Sequence, residues 1–250
     1  MQGYTDSSYG ESIAEVYDQW YHSISDVGAT VSMLSELAQR QQPHAVLELG
    51  VGTGRLAIPL AESLRSTNQH VCGIDSSAAM LDVLATKDPE RTVTATVGDM
   101  VDDLPPGPFA VAFVAYNTIF ALATEARLSD CFHQISRRLS PDGVFVVEAF
   151  VPDPQRQPLS QVSVREIVAD RVVLSVSVSD PDLQTAEGQF IDITETGGVR
   201  LRPWSIRWAT TSQLDQIAAT AGLTLRDRWA DFDRSPFDDD SSRHVSVYGR

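Results

Sequence analysis

Apolar residues recur at two different periods along the chain, and the change from one to the other divides it. Ile13, Val16, Tyr17 and Trp20 fall at helical spacing, which predicts an amphipathic first helix. A second helix is predicted over 27–40, stopped by Gln-Gln-Pro at 41–43. From residue 45 short apolar runs alternate with helical stretches. Strands are predicted at 45–49, 70–75, 92–97, 109–115 and 143–150, with helices at 54–65, 77–86 and 124–139. The strand at 143–150 follows Ser-Pro-Asp-Gly, a turn sequence. Such alternation implies βαβ units and a parallel sheet covered on both faces.

Past Phe150 the period becomes two. Residues 151–160 are rich in Pro and Gln and read as a linker. Four alternating segments follow, at 162–168, 171–179, 187–195 and 199–208, separated by turn signals such as Asp-Pro-Asp and Gly-Gly. They predict an inserted antiparallel sheet. A helix comes next, its start read as a capping box from Ser212 to Asp215, with Asp in the usual Glu/Gln place, and its stop at Gly222. Strands at 223–229 and 244–248 close the pattern. The expected organisation is an α/β protein. A doubly wound, mostly parallel, seven-stranded Rossmann-like sheet occupies 43–152 and 209–250. The inserted sheet spans 153–208, and an N-terminal helical segment covers 1–42.

Composition narrows the function. The 250 residues are 42% apolar, enough for a sizeable core. Thirty-four acidic side chains against 19 basic ones give a net charge of -15, which argues against nucleic acid or an anionic membrane surface as partner. No run reaches the ~18–20 apolar residues that span a bilayer; the uncharged stretch 109–124, which follows a proline-rich turn, contains Asn117 and Thr118. The first residues, MQGYTDSSYGES, have neither a basic nor an apolar signal region, so a cytoplasmic location is expected. Cys72 and Cys131 sit in no metal-binding spacing and read as free thiols. No metal site is expected. Lys87 is the only lysine, which leaves almost no candidate for Schiff-base chemistry.

The informative segment is VLELGVGTG, 46–54. A strand runs into Gly50, Gly52 and Gly54, and a helix begins at the last of them. Glycines there let the chain turn sharply and let a ligand approach the main-chain N–H groups. The next strand ends in Asp75, 21 residues past Gly54, where a carboxylate can accept from both hydroxyls of a ribose. The stretch GTGRLA from Gly52 also satisfies the G-x-G-x-x-A dinucleotide fingerprint, so a nicotinamide-dependent oxidoreductase is one alternative.

The fuller pattern, Glu48 two residues before Gly50, Gly52 and Gly54, resembles the S-adenosylmethionine turn of class I methyltransferases. The resemblance extends over about 200 residues and reaches the terminal strand HVSVY, which is similar to that family's antiparallel seventh strand. It implies that GIDSSAAML (73–81) brings Asp75 and Ser76 to the ribose and Met80 to the adenine. It further implies that VGDM (97–100) brings Gly98, Asp99 and Met100 to the adenine ring. FVAYNTIFAL (113–122) occupies the fourth-strand position, with Tyr116 beside the methionine part. LSPDGVFVVEAF (139–150) resembles the fifth strand, with Asp142 where the family often has glycine. Residues 8–21 resemble the lid of small-molecule methyltransferases acting on sugars and antibiotics. By that resemblance Tyr17 touches the cofactor and Tyr9 the reacting groups.

A sulfonium methyl is already activated, so the protein has to align a nucleophile and exclude water. The (Asn/Asp)-Pro-Pro-aromatic motif of amino-methylating DNA enzymes is replaced here by Tyr116-Asn117-Thr118-Ile119. Asn117, Phe120, Glu148 and Phe150, at or just past the ends of strands four and five, are expected to face the acceptor, with Asn117 among the catalytic candidates. His244 is read as a structural strand-end histidine. The sequence thus points to transfer from S-adenosylmethionine to an amine of a small molecule such as an amino sugar or antibiotic. O-methylation and a non-catalytic S-adenosylmethionine-binding protein are the alternatives. The inserted sheet either roofs the acceptor pocket or joins copies into a homo-oligomer; both stay open.

Overall fold

The computed structural model describes residues 1–22, 24–41, 44–153 and 159–250. Residues 42–43 of the predicted stop, and residues 154–158 of the 151–160 linker, lie outside the described residues. Five parallel strands, β1 (Ala45–Leu49), β2 (Val71–Asp75), β3 (Val93–Val97), β4 (Phe109–Val114) and β5 (Leu139–Phe150), form the centre of one sheet. Two further strands, β10 (Thr224–Trp229) and β11 (Arg243–Gly249), extend it, β11 running antiparallel beside β5. The order is β10-β11-β5-β4-β1-β2-β3. Connections leave β1 toward β2 and β3 on one side and reach β4 and β5 on the other. The switch between β1 and β4 opens a crevice at their carboxyl ends, where open α/β sheets bind ligands.

The six residues of β4 are all buried, as expected of a strand covered on both faces. Val111 and Phe113 pack with Met33 and Leu34 of α2 (Val27–Gln39) and Leu60 of α3 (Ala57–Leu64). Ala112 and Val114 pack with Phe132 and Ile135 of α5 (Glu125–Arg138) and Leu214 of α6 (Thr211–Thr220). α3 starts three residues later than predicted. Gly50, Gly52 and Gly54 have φ of +67°, +53° and +76°, a left-handed conformation that a helix cannot include. The predicted capping box moves as well. Thr210 is the N-cap: its hydroxyl accepts from Gln213 N at 3.2 Å while Gln213 Oε1 accepts from Thr210 N at 2.8 Å. Ser212 lies inside the first turn, so its side chain cannot cap.

A second, antiparallel sheet joins β6 (Ser160–Val168), β7 (Arg171–Asp180), β8 (Thr185–Thr194) and β9 (Gly198–Arg207) in that order. Its inner face packs on α1 (Ser8–Tyr21). Val173, Phe190 and Trp204 meet Ile13, Val16 and Trp20 there. The outer face is apolar too: Val164, Leu174, Ile191 and Leu201 stand in one cross-strand row, with Val164 and Leu201 exposed. Among the described residues no helix is long and apolar enough to cross a membrane.

Two consequences are measurable. A Cβ on Gly73 of β2 would stand 2.6 Å from Cβ and Cγ2 of Val51, inside the glycine turn. Gly73→Ala is expected to cost about 1–3 kcal/mol in urea unfolding, the usual range for overpacking, and to displace that turn. His244 on β11 is fully buried, its Nδ1 2.9 Å from Ser246 Oγ. Burial lowers its pKa to about 4, with Arg228 adding to the effect. The folded protein therefore takes up this proton later than the unfolded chain, and the stability held above pH 6.5 falls as pH drops toward 4. Denaturation midpoints of wild type and His244→Leu should converge across that interval; parallel curves would remove His244 from the acid response.

Candidate active site

A cavity of about 350 Å³ opens at the carboxyl ends of β1 and β4, under α1 and beside the inserted sheet. Its floor is the glycine turn. Gly50 N donates to Ile74 O at 2.8 Å, and a Cβ on Gly50 would come within 2.3 Å of Thr118 Cγ2. Gly52 N donates to Asp75 Oδ2 at 2.8 Å, while Asp75 Oδ1 accepts from Ser77 N at 2.9 Å. One carboxylate thus ties the turn to the end of β2 and to the start of α4 (Ala78–Lys87). Burial raises the Asp75 pKa, the Ser77 and Gly52 N–H groups work against it, and Glu11 adds to the rise.

Met80, Ser76, Asp99 and Met100 line the same side as Asp75. Asp99 accepts from Val101 N at 2.7 Å and Asp102 N at 2.9 Å, and pairs with Arg127. Burial alone would raise its pKa; those N–H groups and Arg127 outweigh it and hold the carboxyl below its ordinary value. Gly98 is not among the residues that line the cavity, and a Cβ there would meet Asp103 at 2.7 Å. Glu48 lies behind the turn, 4% exposed, and burial pushes its pKa well up. Its Oε2 has no hydrogen-bond partner among the described residues.

The opposite wall is aromatic. Tyr9, Tyr17 and Tyr21 of α1 meet Tyr116 at the end of β4. The Tyr17–Tyr21 ring centroids are 4.8 Å apart, and those of Tyr21 and Tyr116 5.5 Å. Tyr9 donates from its hydroxyl to that of Tyr21 at 3.0 Å. Burial drives the pKa of Tyr9 and Tyr17 well above 10.0, so both are neutral phenols at working pH.

Tyr116 and Asn117 have φ of +50° and +64°, a left-handed pair that costs a residue with a side chain about 1–3 kcal/mol each. Glu148 holds that turn: its Oε2 accepts from Tyr116 N at 2.8 Å. Asn117 Oδ1 accepts from Phe150 N at 2.7 Å, joining the ends of β4 and β5. Glu148 therefore points into the turn and not toward the cavity, against the expectation. The reason is the unpaired N–H that a left-handed turn creates. Phe120 is also behind the wall, fully buried and edge-on to Phe150 at 5.0 Å. Asn117 and Phe150 do reach the cavity, as do Gly50 and Gly52; Gly54 packs on Ile58 and Leu84 instead.

Several cavity residues had no place in the sequence expectation: Tyr4, Tyr21, Arg127, Phe190, Trp204 and Ile206. Tyr21 could have been found, since it follows Tyr17 by one helical turn. For Trp204 and Phe190 the alternating pattern carried no sign of which face would meet α1.

The residues suit the cofactor that the resemblance implies. Gly52 offers open space where a Cβ would stand, its nearest neighbour being Gly50 O at 4.0 Å. Asp75 sits beside it, where the resemblance expects the ribose, and Glu48 Oε2 lies buried behind the turn without a partner among the described residues.

Comparison with known proteins agrees. The methyltransferase domain family matches residues 46–143. The CcbJ methyltransferase of Streptomyces caelestis superposes with a TM-score of 0.87 and is 37% identical, covering 98% of this chain and 99% of that one. A dTDP-3-amino-3,6-dideoxy-alpha-D-glucopyranose N,N-dimethyltransferase of Streptomyces fradiae is 29% identical over 145 residues, 57% of this chain. The match spans only 54% of that curated relative's length. An amino pentose methyltransferase of Micromonospora echinaspora, involved in calicheamicin biosynthesis and solved with S-adenosylmethionine bound, shares the fold. Its TM-score is 0.69 at 20% identity, over 94% of this chain and 96% of that one. The glycine turn with Asp75 beyond it, the strand order and the full-length likeness to a methyltransferase lead to one conclusion: the chain belongs to the S-adenosylmethionine-dependent methyltransferases.

Proposed function

We propose that this chain methylates an amine nitrogen of a small molecule, in the cytoplasm and in the making of an antibiotic or amino sugar. S-adenosylmethionine supplies an activated methyl on a sulfonium that leaves as a thioether. The protein's own task is to hold donor and acceptor in line and to keep water out. Gly50, Gly52, Asp75, Ser76, Met80, Asp99 and Met100 are assigned to the donor, with Tyr17 and Tyr116 at its methionine end. Tyr9, Asn117 and Phe150 are assigned to the acceptor. In this reading residues 1–42 act as a lid, 43–152 with 209–250 as the donor-binding core, and 153–208 as a roof. The exposed outer row of the roof is the surface we assign to contact between copies.

One observation carries the choice of nitrogen over oxygen. The buried groups that could serve as base are neutral or engaged: burial keeps Tyr9 and Tyr17 protonated, Glu148 is spent on Tyr116 N, and Asp75 and Asp99 are held by backbone N–H groups and Arg127; Asp6, the other carboxylate on the lining, is exposed to water. A neutral amine attacks without a base, whereas a hydroxyl needs one. Two relatives support the reading by their names, the N,N-dimethyltransferase and the amino pentose methyltransferase.

Incubation with tritiated S-adenosylmethionine and a panel of acceptors tests it. The panel pairs a free amino sugar, its nucleotide-linked form and a cyclic secondary amine with their hydroxyl counterparts. Label is expected on amines and not on hydroxyls. Label on hydroxyls alone would overturn the choice of nitrogen, and label on none, with S-adenosylhomocysteine still raising Tm, would favour a binding protein.

Asp75→Ala is expected to weaken S-adenosylhomocysteine binding by about 1.5–3 kcal/mol, the worth of hydrogen bonds to a charged acceptor, read by titration calorimetry. The carboxylate is the form that accepts from a ribose, and its pKa is raised. Affinity should therefore begin to fall, on acidification, at a higher pH than for an ordinary aspartate. Asp75→Asn should show weak binding with no such pH dependence.

A further inference from the structure

Tyr21 closes α1, and its oxygen accepts the hydrogen bond that the Tyr9 hydroxyl donates, at 3.0 Å. A phenol has one proton to give. With that proton committed to Tyr21, the remaining lone pairs of Tyr9 are free for a ligand in the cavity that both residues line. The direction of this bond matters to an amine. A hydroxyl that donated into the cavity would occupy the nitrogen lone pair and disable the nucleophile. A hydroxyl that accepts there takes an amine N–H and leaves the lone pair unencumbered.

Tyr21 is itself held on several sides. Tyr17 and Tyr116 pack against its ring at 4.8 and 5.5 Å between centroids, and the Arg165 guanidinium covers it at 4.9 Å. Arg165 belongs to β6 of the inserted sheet. It also lies over Trp20 and Phe190, at 4.8 and 5.0 Å, and donates to the Trp20 carbonyl at 3.1 Å.

We propose that Tyr21 is a positioning residue for methyl transfer. It takes the Tyr9 proton and so presents Tyr9 to the acceptor amine as a hydrogen-bond acceptor, and Arg165 of the inserted sheet braces it in place. The inference rests on the assignment of Tyr9 to the acceptor. It makes the inserted sheet a support of the reaction as well as a wall of the cavity.

A double-mutant cycle on the full chain tests it, using as probe the amine of the panel that takes up label fastest. Tyr21→Phe keeps the ring and loses only the oxygen. It should lower kcat about three- to tenfold, the worth of one net hydrogen bond, with KM for the amine, affinity for S-adenosylhomocysteine and Tm each little changed. In a Tyr9→Phe background the same substitution should do nothing further. Arg165→Met should repeat the pattern with a smaller loss and likewise fall silent without the Tyr9 hydroxyl. Equal losses in both backgrounds, or an unchanged kcat in Tyr21→Phe, would overturn the positioning role. Tyr9→Phe with full kcat would instead overturn the assignment of Tyr9 itself, and the inference with it.

Discussion

The site depends on how one carboxylate is divided. Asp75 gives one oxygen to Gly52 N and the other to Ser77 N, so the turn after β1 cannot move without the end of β2 and the start of α4. Ser77 carries the linkage outward, capping α4 through Met80 N and donating to Glu11 on α1. A chain of short polar contacts therefore runs from the glycine turn to the helix above the cavity. The arrangement keeps the Asp75 carboxyl buried and its pKa raised. A ribose offering two hydroxyls would supply the solvation that burial removes, so on the proposed reading the residue that shapes the turn would also receive the ligand.

The second constraint lies between α1 and the inserted sheet. Arg202 of β9 is 1% exposed, and burying a guanidinium is expensive unless it is paired. Its partners are Glu15 and Asp192, with the Ser12 carbonyl completing the set. Arg171 shares Asp192 through two hydrogen bonds of 2.7 and 2.6 Å. Removing either element would leave charges stranded in an apolar contact, so helix and sheet behave as one wall. That is why a segment inserted far along the sequence can brace tyrosines contributed by the first helix.

Much of this was legible in the chain. The βαβ alternation, the antiparallel insertion, the glycine turn and Asp75 rest on local signals: a period, a φ that favours glycine, a spacing. What stayed hidden depended on pairing. Glu148 sits at a strand end that alternation alone would aim either way, and its direction was decided by the backbone N–H of a left-handed Tyr116. Gln213 outdid Asp215 as the helix cap because Thr210, not Ser212, stands outside the first turn. Trp204 reaches the cavity through a sheet docked on α1 by Arg165, Arg171 and Arg202, and an alternating strand pattern does not show which helix such arginines will meet.

For the amine acceptor proposed above, the net charge of -15 and the aromatic wall would act in opposite ways. A sulfonium and a protonated amine are both cations, and an acidic surface raises their local concentration. At the point of attack, however, the nitrogen must be neutral. Transfer from water to a wall of buried phenols disfavours the charged amine, as burial does for any cationic group, while Tyr9 remains an uncharged acceptor for the N–H that survives. On the proposed reading, long-range charge would gather the acceptor as an ammonium and short-range desolvation would return its lone pair. A site built with a buried carboxylate against the nitrogen would have stabilised the ammonium and lost the second step. With Glu148 turned into the Tyr116 backbone, the proposed amine would not meet that carboxylate.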